Sequence, residues 1–220
     1  MPVRVKVIGV VVSLFAALIY LFAWSPVFSV RAISAVGAPV EVSEAALISK
    51  SQIHIGEKLS RIEPRSIARS LEELSWIKQA SIARDWIKGK VTITVTPRVA
   101  VGMYKGKAID SSGTLFVNPG NVPAGLPQVS AASPKLGLEA IALFTNLPSE
   151  IQQSIISVTA SNTNSISSWQ EQNGRKLKVT WGSVRDLDLK VTVLQALLEL
   201  PENQSIKRVD LSAPHAPIVK

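Results

Sequence analysis

The stretch VTITVT, residues 91–96, carries the clearest fold signal in the chain. Apolar β-branched residues alternate with threonine at every position, which is the pattern of a strand with one buried face. The preceding segment, Ile77 to Trp86, also has strand character, and Gly89 supplies a turn between the two segments. These residues predict two consecutive strands joined by a short turn.

Toward the N-terminus, the sequence predicts a strand followed by two helices. Val, Ile and Phe are frequent from Phe28 to Val36, and the strand that they predict ends at Gly37. Ser43 is placed to cap a short helix, and Pro64 suits the first position of a second helix because proline has no N–H to leave unpaired. The second helix has one apolar stripe, formed by Ile67, Leu71 and Leu74. The predicted order is therefore strand, helix, helix, strand, strand.

The residues after Arg98 predict a second region in which short strands mix with helices. An Asp-Ser-Ser-Gly turn lies within a hairpin predicted for residues 109–116. Helices are predicted for residues 136–147 and 187–200, each followed at once by a proline. Further strands are predicted at residues 157–160, 166–170, 177–181, 209–212 and 215–220. Both regions together predict an α+β fold, and the size of the chain allows one large domain or two small ones.

An apolar run lies near the N-terminus, from Val7 to Trp24, with Arg4 and Lys6 before it and all 16 acidic residues after it. A helix of that length would measure about 27 Å, close to the thickness of a bilayer hydrocarbon core. The two cations predict a cytoplasmic tail at residues 1–6 and an extracytoplasmic remainder. The alternative is a cleaved signal peptide with a site at Ala23-Trp24-Ser25, but such peptides usually have a shorter apolar core. The run therefore favours a transmembrane helix.

The composition limits the partners and the kind of stabilisation. The chain has no cysteine, so a buried core and not a disulfide must stabilise it. It carries 24 basic and 16 acidic residues, and without Arg4 and Lys6 the remainder has a net charge of +6. Such a surface is attracted weakly to anionic lipid headgroups or to an anionic wall polymer. Nucleic acid is not an expected partner, because the basic residues are scattered and the predicted compartment is wrong.

The sequence contains no recognisable catalytic or metal-binding constellation. The only histidines, His54 and His215, are isolated from each other and lie in polar, turn-like surroundings. No pair of histidines has the spacing that zinc sites use, and neither a Gly-x-Ser-x-Gly elbow nor a Gly-rich phosphate loop is present. We therefore expect no enzyme activity, no metal and no cofactor.

In its order of elements and in its residues at defined positions, the chain resembles the bacterial cell-division family FtsQ, also called DivIB. The matching positions in the first region are Val30, Ile33, Gly37, Gly56, Leu59, Ile67, Leu71, Leu74, Trp76, Ile77, Ala80, Ile82, Arg84 and Trp86. Those in the second region are Asp110, Gly113, Leu126, Pro127, Lys190, Val209, Asp210 and Leu211. Two positions depart from the family pattern: Ile87 stands where proline is usual, and Pro97-Arg98 replaces a Glu-Arg pair.

The resemblance implies a POTRA domain at residues 26–98 and a β-domain, a mixed sheet with helices, at residues 99–220. It also implies a non-enzymatic scaffold of the division septum, held in the cell membrane by a single transmembrane helix at residues 7–24. The expected partners are division proteins resembling FtsB and FtsL, and other septal components are expected to contact the POTRA domain. The alternatives are a membrane-anchored envelope hydrolase that uses His54 or His215, and a POTRA module of a secretion or assembly system. The latter is disfavoured because no long run of barrel strands follows.

The partner-binding surface is predicted on the last strand, His215 to Lys220. A final strand can lie at a sheet edge, where unpaired N–H and C=O groups accept an incoming strand. In the family, the FtsB contact is centred on the last strand, and the positions that match it are Ala216, Pro217, Ile218, Val219 and Lys220. Trp169 is a second candidate, because the serines before it weaken its assignment to the core. The alternative is a frayed segment, since Pro214 and Pro217 donate no ladder hydrogen bond.

Overall fold

The computed structural model describes residues 8–16, 20 and 28–220. The described residues before Phe28 are helical and are labelled α1. Within these described ranges, no helix has both the length and the apolar character that crossing a membrane requires. The transmembrane helix predicted at residues 7–24 lies partly outside the described residues, which omit 7, 17–19 and 21–24.

The chain divides between Arg98 and Val99 into two compact units. The first unit has the predicted order of strand, helix, helix, strand, strand. Its elements are β1 (Ala32–Val36), α2 (Glu44–Ser51), α3 (Pro64–Glu72), β2 (Ile77–Asp85) and β3 (Lys90–Pro97). They form a three-stranded sheet in the order β1-β3-β2, in which β1 is parallel and β2 antiparallel to β3.

The core of the first unit lies between this sheet and the two helices. The apolar residues of β3, Val91, Ile93 and Val95, are at most 2% exposed, which confirms the alternation seen in the sequence. Leu71 on α3 is fully buried, as predicted for the centre of its apolar stripe. Ser43 caps α2 by accepting a hydrogen bond from the N–H of Ala46 at 3.2 Å, also as predicted.

The first strand is shorter than the sequence predicts. Strand β1 begins at Ala32 rather than at Phe28, because the backbone before it bonds to another segment. The carbonyl of Phe28 accepts from the N–H of Leu59, and the N–H of Val30 donates to the carbonyl of Glu57. These bonds tie residues 28–30 to the loop between α2 and α3, so they are unavailable to the sheet.

The second unit is a nine-stranded mixed sheet with helices. Its strands are β4 (Ala100–Tyr104), β5 (Lys107–Asp110), β6 (Leu115–Phe116), β7 (Gln128–Ala131), β8 (Ile155–Asn162), β9 (Ser165–Gln172), β10 (Arg175–Gly182), β11 (Arg208–Asp210) and β12 (Ile218–Val219). Its helices are α4 (Pro134–Thr145), α5 (Ser149–Ser154) and α6 (Leu187–Glu199), and a short 3₁₀ turn spans Pro201–Asn203. The strand order is β12-β11-β10-β9-β8-β7-β4-β5-β6.

Helices α4 and α6 share one hydrophobic core with the sheet. Buried residues of α4 and α6, such as Phe144 and Leu194, belong to the same cluster as Val158, Val179 and Trp181 from neighbouring strands. The indole N–H of Trp181 donates to the Ser168 hydroxyl at 2.9 Å, so the polar atom of this fully buried ring is satisfied. On the opposite face of the sheet, the residues of β8, β9 and β10 are polar or partly exposed.

Four parts of the second unit differ from the sequence predictions. Strands β4 and β7 and helix α5 were not predicted, since none of them has a distinct periodic pattern. The last strand is two residues long instead of the six from His215 to Lys220. It starts late because the N–H of Ala216 bonds to the carbonyl of Ala213 in a turn, and Pro217 has no N–H to give.

Candidate partner-binding surface

Strand β12 is the end strand of the nine-stranded sheet. It pairs with β11 through Val219 opposite Val209 and Ile218 opposite Asp210. The backbone of Lys220 continues this ladder, since its N–H donates to the carbonyl of Arg208 at 3.0 Å and its own carbonyl accepts from Arg208 at 2.9 Å. The backbone at the end of β12 is thus hydrogen-bonded to β11, contrary to the alternative of a frayed segment.

The ladder determines which backbone groups face outward. In an antiparallel pair, residues alternate between bonding to the partner strand and pointing away from it. Because Lys220 exchanges both bonds with Arg208, the N–H and C=O of Val219 point away from β11. Among the described residues, no strand lies on that side of β12. Val219 therefore presents the backbone groups that an added strand would use.

Strand register places Trp169 on the same face of the sheet as Ile218. Trp169 of β9 lies opposite Lys178 of β10, and Lys178 lies beside Arg208 of β11. Thr180 and Asp210 form the next row, which ends at Ile218. Side chains that are paired across a ladder share a face, so both rows lie on the face away from the helices. Three strand spacings separate β9 from β12, which is about 14 Å.

An open groove of about 240 Å³ is formed by residues of β10, β11 and the edge strand β12. Its lining residues are Lys178, Thr180, Arg208, Val209, Asp210, Ile218 and Lys220. Three of them are cationic, whereas the single carboxylate, Asp210, already accepts hydrogen bonds from the N–H and the hydroxyl of Ser212. The groove is therefore basic, and it suits a partner segment that carries carboxylates.

The predicted site residues take different positions on this surface. Ile218 is 56% exposed and lines the groove, and Lys220 lines it too. Val219 is 37% exposed and points toward the helix side, because it lies opposite the buried Val209. Ala216 and Pro217 lie in the turn before β12. Trp169 is 39% exposed on the outer face. The geometry therefore places Ile218, Val219 and Lys220 on one edge, and Trp169 shares the outer face with Ile218 and Lys220.

Sequence reasoning missed Lys178 and Arg208 as members of this surface. Lys178 belongs to a strand that alternates apolar and basic residues, which does predict that its side chain faces solvent. Arg208 comes from a three-residue strand that pairs in parallel with β10. No local pattern reveals that pairing, because the two strands are separated by helix α6.

His54 and His215 are exposed and belong to different compact units. Within the described part of the chain, no group of three His, Cys, Asp or Glu side chains is placed to hold a metal ion.

Two family models match the chain. The model for the FtsQ-type POTRA domain matches residues 28–98, and the model for the C-terminal region of cell division protein FtsQ/DivIB matches residues 98–212. The chain belongs to the FtsQ/DivIB family. This membership supports a role in cell division. No match to a curated protein was found.

The match has a limit that bears on the candidate surface. The C-terminal FtsQ/DivIB model ends at Ser212, six residues before β12 begins. The match to the family model thus includes β9, β10 and β11, but not β12. The edge strand itself is placed by its hydrogen bonds to Arg208 and its pairing with Val209 and Asp210.

Proposed function

We propose that this protein is a non-enzymatic, single-pass membrane scaffold of the bacterial division machinery. Residues 7–24 anchor it in the cell membrane at the septum, with residues 1–6 in the cytoplasm and the POTRA and β-domains outside. The β-domain binds division proteins of the FtsB and FtsL type, and the POTRA domain contacts other septal components. Membership of the FtsQ/DivIB family supports the division role.

The open edge of β12 is the observation that carries the binding mode. The partner adds a strand beside Val219, whose N–H and C=O point away from β11. Ile218 supplies apolar contact on the outer face, since 56% of it is exposed. Lys178 and Arg208 attract carboxylates of the partner to the basic groove. Backbone bonds thus supply affinity, and the groove supplies orientation and selectivity.

The substitution Val219→Pro tests strand addition directly. Proline removes the outward N–H but leaves the ladder to β11 intact, and edge strands tolerate proline on their solvent side. We expect the FtsB/FtsL-type partner pair to bind the Val219→Pro protein at least tenfold more weakly, measured by calorimetry on solubilised full chains. The matched control Val219→Ala keeps the N–H and should bind within about threefold of the wild type.

Truncation after Pro214 provides a second test. The shortened chain lacks the whole edge strand, so partner binding should be lost while the thermal transition of the POTRA domain stays unchanged. Equal affinity of the truncated and full chains would contradict strand addition at β12. In that case the face around Trp169 becomes the site to test next.

The non-enzymatic part of the proposal has its own test. Both histidines are exposed, and replacing them should not disturb the fold. We expect a chain with His54→Ala and His215→Ala to restore septation in a strain that lacks the protein. Persistent filamentation with a normal level of the double variant would favour an envelope hydrolase instead.

A further inference from the structure

The net positive charge of the POTRA domain is confined to one end. Three segments, residues 28–31, 57–62 and 84–90, form what we call the basic end. It contains six cations and two carboxylates. The cations are Arg31, Lys58, Arg61, Arg84, Lys88 and Lys90. The rest of residues 28–98 contains five cations and five carboxylates, so its net charge is zero.

Hydrogen bonds hold the three segments together at one place. The N–H of Leu59 donates to Phe28 at 3.0 Å, and the N–H of Arg31 donates to Gly89 at 2.7 Å. The guanidinium of Arg84 donates to the carbonyls of Leu59 and Ile62, both at 2.9 Å. The charge excess therefore belongs to one continuous surface, although it comes from three parts of the sequence.

The β2–β3 turn is pressed against residues 28–31. Gly89 has a φ of +64°, and a Cβ at this position would lie 2.7 Å from the carbonyl oxygen of Ser29. Only glycine permits so close an approach of the two backbones. The ring of Trp86 also packs edge-on against Phe28, with centroids 6.1 Å apart. The tip of the turn is thus fixed beside the first residues of the domain.

That tip carries an exposed isoleucine. Ile87 is 91% exposed, although isoleucine is among the residues most often buried. Lys88 follows it and is exposed as well. The carboxylate of Asp85 shapes the turn by accepting the backbone N–H groups of both Ile87 and Lys88. An apolar side chain held next to a cation suits the boundary between headgroups and acyl chains of a bilayer.

The chain length places this surface near the predicted membrane. Phe28 lies four residues after Trp24, the last residue of the predicted span. Four fully extended residues reach about 14 Å at most. The headgroup region on one side of a bilayer is itself several ångströms thick. Phe28 and its neighbours are therefore limited to the bilayer surface if residues 7–24 span the membrane.

We propose that the basic end of the POTRA domain rests on anionic phospholipid headgroups, with Ile87 inserted at the interface. This lipid contact depends on the membrane anchor of the proposed function, and it orients the POTRA domain on the bilayer. Each cation near an anionic surface contributes attraction that salt weakens. The opposite, neutral part of the domain then faces away from the membrane and stays accessible to other proteins.

A fluorescent probe at residue 87 tests the contact. Because the chain contains no cysteine, Ile87→Cys can be labelled at a single site with an environment-sensitive dye. The full chain is reconstituted through its anchor into nanodiscs that contain phosphatidylglycerol and brominated lipid. The matched control is Val40→Cys, since Val40 is a fully exposed apolar residue in the neutral part of the same domain. We expect quenching and a blue shift for residue 87 only.

Charge reversal tests the electrostatic part. Lys88→Glu should shift the contact equilibrium about tenfold or more toward water, because it replaces a charge that the anionic surface attracts with one that it repels. Lys78→Glu, an equal change at an exposed lysine of the neutral part, should leave the probe unchanged. High salt or a purely phosphatidylcholine disc should also release the probe.

The outcomes separate this inference from the proposed function. A chain that does not remain in nanodiscs would overturn the membrane anchor and the lipid contact together. A chain that stays embedded while probes at residues 87 and 40 behave alike would overturn the lipid contact alone. A probe at residue 87 that responds to soluble wall-polymer fragments but not to anionic lipid would also overturn it. Partner binding at β12 should be unchanged by Lys88→Glu.

Discussion

Leu71 shows how one residue of the α3 stripe supports the first unit. Its side chain is fully buried, and it lies on the helix that packs against β2. Leu74, the last member of the predicted stripe, is partly exposed, so burial is concentrated at the centre of the stripe. An apolar side chain in this position stabilises the fold through the area that it removes from water and through close packing.

We expect Leu71→Ala to lower the free energy of unfolding by about 2–5 kcal/mol, because it leaves a cavity in the core. Urea denaturation of the purified protein measures this loss. Ile87→Ala, a truncation at a 91% exposed position, is the control and should change stability by less than about 0.5 kcal/mol. A comparably small effect at Leu71 would mean that the helix face is assigned wrongly.

Lys190 is a buried cation in the core of the second unit. It is 2% exposed, and its ammonium donates to the carbonyl of Ser183 at 2.8 Å. Burial lowers the pKa of Lys190 below its usual value of 10.5. The carboxylate of Asp186 partly opposes this effect, and Arg185 adds to it. The bond to Ser183 ties helix α6 to the loop that precedes it.

The lowered pKa of Lys190 predicts a pH dependence of stability. Between the folded pKa and 10.5, the unfolded chain holds a proton that the folded chain has released, so stability rises with pH in that window. Below the folded pKa, both states are protonated and the dependence vanishes. Denaturation of the wild type and of Lys190→Met measures the free energy of unfolding of each from neutral pH to about pH 10.5. The stability of the wild type relative to Lys190→Met should increase as the pH rises. A difference that is constant with pH would contradict the lowered pKa.

At the scale of elements, both edges of the POTRA sheet are occupied by glutamates from the helices. The carboxylate of Glu44, in the first turn of α2, accepts the N–H of Ala35 on β1 at 2.8 Å. That of Glu72, the last residue of α3, accepts the N–H of Ala80 on β2 at 2.9 Å. Each carboxylate fills a ladder position that would otherwise pair with another chain. These two positions on the edges of the POTRA sheet are therefore closed to an added strand.

Removing one of these carboxylates should weaken the sheet edge. Glu72→Ala leaves the N–H of Ala80 without its acceptor, and we expect a loss of about 1–2 kcal/mol in unfolding free energy. Glu72→Gln keeps an acceptor oxygen and should retain most of that stability. Sedimentation velocity should detect more self-association for Glu72→Ala than for Glu72→Gln. Equal stability and equal association of the two variants would argue against this role.

At the scale of the whole molecule, the membrane anchor that we propose determines the compartment of both domains. If residues 7–24 remain attached and span the membrane, the protein should stay in the membrane fraction after a high-salt wash, which removes proteins held only by charge. Immunoblotting of washed membranes measures this. A soluble species that starts near Ser25 or Pro26 would instead establish cleavage of a signal peptide.

The POTRA fold could be predicted from local features of the sequence. The alternation of residues 91–96, the cap at Ser43 and the proline at position 64 act within a few residues, and each is confirmed in the structure. Family membership agrees with the resemblance read from the same positions. The hairpin turn at Asp110 is also formed by local interactions, since the Asp110 carboxylate accepts hydrogen bonds from the N–H groups of Ser112 and Thr114.

Only the tertiary structure decided how distant segments meet. The sequence by itself determined that Lys178 alternates with apolar neighbours and that Trp169 is preceded by serines. It contained no signal that β10 pairs in parallel with β11, which puts Lys178 beside Arg208 and brings Trp169 and Ile218 to one face. The fold likewise places the carboxylate of Glu72 at the edge of β2, where it accepts the N–H of Ala80. The physical reason is that propensity, capping and turns act locally, while strand order depends on packing between residues far apart in the chain.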